Sequence, residues 1–102
     1  MYYIYILYSA SSDIFYVGYS SDYTRRLQEH NTQANFNTFT SKHRPWVLRA
    51  VFKCGEDEKT AVGLERFIKN QKSRKLLQQL CNAQFIPTGK LSQLVRVPDV
   101  RD

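Results

Sequence analysis

"FYVGYSSDYTRRLQEHN", residues 15–31, decides how this chain is read. With Ile14 before it, the opening "IFYVGY" is β-branched and aromatic and predicts a strand. Ser20, Ser21 and Asp22 then offer three candidate caps for a helix running to about His30, with Tyr23, Leu27 and His30 on one stripe. Arg26 and His30 are four residues apart, so they are neighbours on one helix face, at the margin of the apolar stripe. Arg25 points elsewhere, into solvent. A strand that ends at Gly18 and turns at once into such a helix fixes where those two side chains can reach.

Upstream, "YYIYILY" (residues 2–8) lacks a helical period and predicts a strand, with "SASSD" as turn, so the two strands form a hairpin. Strands over residues 2–8 and 13–19 would set Tyr5 opposite Tyr16, with both hydroxyls on one face. The same pairing also serves two core tyrosines packed edge to face. Both strands are apolar on both faces, which asks for a central position or a cover of helices.

Downstream, "NTQANFNTFTSKHRP" (residues 31–45) is polar and without period, and reads as a long surface loop. "WVLRAVFK" (residues 46–53) is a third strand. "GEDEKTAVGLERFIKNQ" (residues 55–71) is a helix with Ala61, Leu64 and Ile68 as core stripe, acids in its first turn and Lys69 near its end. A short helix capped by Ser73 covers residues 73–80, and from Ala83 the chain reads as an extended, partly disordered tail. The fold class is α+β: a small antiparallel three-stranded β-sheet flanked by helices, in the order β-β-α-β-α-α. Residues 1–82 form the domain and 83–102 a C-terminal extension.

A chain of 102 residues with 42% hydrophobic and 24% charged residues can bury one modest core, here rich in seven Tyr and six Phe. Fifteen Lys and Arg against nine Asp and Glu leave a net charge of +6, which suits a polyanionic partner or simply a basic protein. Cys54 and Cys81 lack metal-ligand spacing, and with His30 and His43 they make a poor zinc set; reduced thiols fit a cytoplasmic setting. The first residues have no basic flank and too short an apolar run for a signal or membrane span, so no membrane is expected.

Glu65 falls on the core-facing stripe between Leu64 and Ile68. A carboxylate there requires either an ion pair with an Arg or a bound cation, and a hard ion such as Mg²⁺ needs only one or two carboxylates. A metal ligand, a guanidinium and a general base are what phosphodiester hydrolysis needs. Gly18, lacking a side chain, would let a phosphate approach the strand end, or it marks a bulge or turn.

In this arrangement the chain resembles the GIY-YIG nuclease domain family, most of all its short stand-alone bacterial members. "YIY" (residues 3–5) and "YVG" (residues 16–18) stand where the family carries its two tripeptides, and "YTRRLQEH" and "AVGLERFIK" carry Arg26, His30 and Glu65 at the matching places. "EHN" and "RPW" are also similar, and the likeness covers about residues 2–80. Tyr3 replaces the first motif's glycine. The resemblance implies a metal-dependent endonuclease acting on DNA, with Glu65 holding one Mg²⁺ or Mn²⁺ and Arg26 stabilising the transition state. It also implies Tyr5 or His30 as general base and Tyr16 orienting the water or phosphate. Arg25, Lys42, His43 and Arg44 would contact phosphates, and a protein partner would supply target choice. The alternatives are a catalytically silent nucleic-acid-binding or protein-interaction module and a small structural partner. The silent module would bind without metal and without need of Glu65.

Overall fold

The computed structural model describes residues 1–33 and 37–98. β1 (Tyr2–Ser9) and β2 (Ile14–Ser20) form the expected hairpin, but the chain reverses one residue later than expected. Ser9 stays in the strand opposite Ile14, and its Oγ accepts from Ser12 N at 3.3 Å inside the turn. Tyr5 therefore pairs with Gly18 and Tyr16 with Leu7, which corrects the expected pairing of Tyr5 with Tyr16. The shift is two residues in register, so the side-chain alternation keeps Tyr5 and Tyr16 on the same face.

α1 (Tyr23–Thr32) starts at Asp22, whose carboxylate accepts from Arg25 N at 3.0 Å, and runs two residues beyond His30. The segment expected as an unbroken loop contains a short helix, α2 (Thr38–Ser41), capped by Asn37; residues 34–36 of that loop lie outside the described residues. Asn31, at the end of α1, clips this region to the next strand: its amide donates to Trp46 O at 2.9 Å and accepts from Trp46 N at 2.7 Å.

β3 (Val47–Gly55) pairs antiparallel with β1, leaving β2 at one edge of the sheet. α3 (Glu58–Asn70) buries Ala61, Leu64 and Ile68, and α4 (Arg74–Leu80) begins at its cap Ser73. The expectation of three strands and an extended tail needs correction. A 3₁₀ turn (Gly89–Leu91) and β4 (Val95–Arg96) fold back, giving the sheet order β2-β1-β3-β4. The sequence hides this because β4 is two residues long and held by a side chain. The Arg96 guanidinium lies 4.7 Å from the Phe52 ring centroid and donates to the carbonyls of Leu80, Asn82 and Phe85. Residues 99–102 of that tail lie outside the described residues.

Each face of the sheet carries its own core. Ile4, Ile6, Val17, Ala50 and Phe52 pack with Leu64 and Ile68 of α3, and Leu91 and Leu94 join them. Tyr5, Leu7, Leu48, Val51 and Trp46 pack on the other side with Tyr23 and Leu27 of α1. β1 thus has helices over both faces, which accounts for its unbroken apolar run. Cys54 and Cys81 are free thiols buried in the first core. Among the described residues, no helix is long and apolar enough to cross a membrane.

Candidate active site

The second core holds a line of polar groups that begins at Tyr5. Its hydroxyl lies 3.0 Å from His30 Nε2, and His30 Nδ1 lies 2.9 Å from Thr40 Oγ1. Thr40 Oγ1 in turn donates to Asn37 O at 3.4 Å. Assigning the Thr40 proton to that bond makes its hydroxyl accept from Nδ1–H and leaves Nε2 to accept from the Tyr5 O–H. His30 is 1% exposed. Burial, then the charges of Arg26, Arg44 and Lys69, lower its pKa to about 4, so the ring is neutral at pH 7. Burial also raises the Tyr5 hydroxyl far above the usual tyrosine range, while Arg26 opposes the rise.

Gly18 makes this line possible. A Cβ placed on it would fall under 3.0 Å from Tyr5 Cζ, Oη and Cε2, so the Tyr5 ring occupies the space that a side chain at 18 would need. The phosphate approach expected at Gly18 thus meets the Tyr5 ring end first.

Because β2 is the edge strand, residues from the two sides of the sheet meet around it. Tyr16 stands there with its hydroxyl accepting from Asn37 Nδ2 at 3.3 Å and its ring 4.9 Å from His30 in an edge contact. α3 supplies the other side: Lys69 Nζ lies 4.9 Å from the Tyr16 ring centroid and 3.6 Å from Glu65 Oε1. Burial and the charge of Glu65 raise the Tyr16 pKa, so Glu65 acts on the tyrosine across the strand edge. Arg26 pairs with Glu29 at 3.6 Å, and its charge reaches Tyr5, Tyr16 and His30.

The structure brings Tyr5, Tyr16, Gly18, Arg26, His30 and Glu65 together around one strand. The expected phosphate-contacting residues divide. Arg25 and Lys42 are exposed. His43 is half-buried, with Nδ1 2.9 Å from Ser12 Oγ and its ring on Phe39. Arg44 departs from the set: Nε donates to His30 O at 2.6 Å and Nη2 to Gln33 O, so it closes the C-terminal end of α1. Tyr3 sets its ring edge against Tyr23 of α1, at 5.0 Å, rather than over Tyr5. Asn37, Thr40 and Lys69 are not among the site residues expected from the sequence, where Lys69 stands only as the basic end of its helix. Lys69 carried a usable signal, its four-residue spacing from Glu65; Asn37 and Thr40, in an aperiodic stretch, carried none.

The donors decide which cation fits. Among the described residues no group of three or more His, Cys, Asp or Glu side chains gathers as a metal cluster. A single carboxylate, Glu65, fits a hard divalent ion that keeps its waters and takes further oxygens from a phosphate.

The family model of the GIY-YIG catalytic domain matches residues 1–78. The chain belongs to that family, a nuclease family whose members generally depend on a divalent metal. No curated protein and no solved structure matches the chain.

Proposed function

We propose that the chain is a divalent-metal-dependent endonuclease that hydrolyses phosphodiester bonds in DNA, directed by substrate structure rather than base sequence. The observation that supports it is the meeting of Tyr5, Tyr16, Arg26 and His30 with Glu65 around the edge of β2. Glu65 would hold one Mg²⁺ or Mn²⁺, which supplies Lewis-acid polarisation of the phosphate when bound.

The protein's own groups do the rest. Arg26 leaves a partly exposed and therefore weak pair with Glu29 to bind a phosphate oxygen, where it stabilises the charge that builds at the transition state. Tyr5 and His30 act as one base: Tyr5 Oη takes a proton from the attacking water and passes its own to neutral His30 Nε2. Neither serves alone, since Tyr5 holds its proton tightly and His30 sits behind it. Tyr16, steadied by Asn37, orients the water or phosphate. Arg25, Lys42 and His43 contact phosphates, which fix register without reading bases. A protein partner would supply target choice, and a cytoplasmic setting suits the two free thiols.

A second reading, the catalytically silent binding module, is favoured by one observation: Lys69 neutralises Glu65 while Tyr5 is only 1% exposed. Cleavage of labelled duplex, nicked, flapped and single-stranded DNA with Mg²⁺, Mn²⁺ or chelator separates the two. Metal-dependent cutting that disappears in Glu65→Ala and Arg26→Ala is expected. Salt-sensitive, metal-independent binding without cutting, unchanged in Glu65→Ala, would establish the silent module.

A further inference from the structure

A groove of about 390 Å³ runs between β2 and the α3–α4 pair. It shares Tyr16 and Lys69 with the candidate active site, and its mostly apolar lining carries two more cations, Lys72 and Arg74, with Ser73 between them. Phe39 closes one wall. Its ring is 48% exposed and stacks on Tyr16 at 6.2 Å between centroids and 28° between planes. Arg74 is matched by Asp13 at 2.6 Å and Lys69 by Glu65 at 3.6 Å, whereas Lys72 is exposed at the turn between the two helices.

We infer that this groove receives an unpaired nucleotide of the DNA strand next to the scissile phosphate, its base stacking on Phe39 and a flanking phosphate meeting Lys72. The inference rests on the nuclease reading for the position of that phosphate. Its chemistry comes from the groove. Apolar walls with an exposed aromatic ring suit the face of a base, which every base presents, and offer little to its hydrogen-bonding edge. A paired base keeps its faces inside the stack, so only an unpaired one can enter. The volume lies in the range of small-ligand sites. Lys72, exposed on this lining beside the ion-paired Lys69 and Arg74, favours a polyanion over an apolar peptide, in accord with the net charge of +6. Continuity with Tyr16 places the nucleotide beside the reacting phosphate, which would turn the groove into a selector for flaps, gaps and single strands.

The test is fluorescence anisotropy with the full chain in chelator, so that no strand is cut. The probes are a duplex with a short unpaired flap, the same flap with abasic residues, and the fully paired duplex. The abasic flap should bind about 10-fold more weakly than the normal flap. The salt dependence should be unchanged, because the phosphates are the same. Phe39→Ala should erase that difference. Lys72→Asn, which suits the left-handed φ of 48° there, should weaken both flaps alike and lower the salt slope by about 1. Equal affinity for normal and abasic flaps, or no DNA binding, overturns the inference, and neither result depends on a variant that folds. Cleavage assays keep the two readings apart. Metal-dependent cutting with base-insensitive binding sinks the groove and leaves the nuclease. Base-sensitive, Phe39-dependent binding without cutting on any substrate upholds the groove and sinks the nuclease.

Discussion

Gly18 stands directly across from Tyr5 on the neighbouring strand, and the Tyr5 ring lies over it in the place of a side chain. The ring end there is also the end that holds His30, so position 18 controls the proton line through its contact with the Tyr5 ring. Gly18→Ala must push a buried ring aside. It should cost about 1–3 kcal/mol of stability and remove most cleavage activity. Gly63 is the internal control: it is exposed on α3 with open space where a Cβ would stand, so Gly63→Ala should stabilise by about 0.5–1 kcal/mol. Urea unfolding of both variants checks the pair.

His30 predicts a pH dependence of folding. Its folded pKa of about 4 lies below its ordinary value of 6.5, so the unfolded chain takes up the proton first as the pH falls. The contribution to stability is complete above about pH 6.5 and declines toward pH 4, by roughly 3 kcal/mol across the window. Denaturant midpoints at pH 7, 6 and 5 should fall in the wild type. A flat profile would contradict the neutral buried ring.

Tyr5 and His30 should behave as a unit. Tyr5→Phe removes the hydroxyl that His30 Nε2 holds at 3.0 Å, at a stability cost of about 1–3 kcal/mol. If one proton path runs through both, adding His30→Gln to Tyr5→Phe should lower kcat little further. Rate losses that multiply in the double variant would mean separate roles.

Two arginines near α1 should fail in different assays. Arg44→Met removes donors from the His30 and Gln33 carbonyls, so it should destabilise the fold by about 1–2 kcal/mol. Arg25→Ala should leave stability within about 0.5 kcal/mol and reduce the salt slope of DNA binding by about 1. Thermal melts beside anisotropy titrations in graded salt distinguish them.

Much of the architecture was legible because local signals agree with the packing. The aromatic run of β1, the Asp22 and Ser73 caps and the Ala61, Leu64 and Ile68 stripe each announce an element and its buried face. Register was not legible, because it turned on whether Ser9 belongs to strand or turn, and its hydroxyl serves the turn while its backbone pairs. β4 escaped because two residues give no period, and Arg96, which pins it, reads as a surface charge. At the candidate site the tyrosines, Arg26, His30 and Glu65 are visible by type and spacing. Their neighbours Asn37 and Thr40 become visible only once the chain between α1 and β3 has folded over His30.

The returning C-terminal segment has a consequence for transplantation. The family match stops at residue 78, yet Leu80, Leu91 and Leu94 complete the same core as Ile4 and Phe52. The boundary recognised by kinship and the boundary of the folding unit therefore differ. A chimaera that borrows only the matched stretch would inherit the tyrosines, Arg26, His30 and Glu65 with an open hydrophobic seam beneath α3. A graft that keeps its shape has to extend through β4.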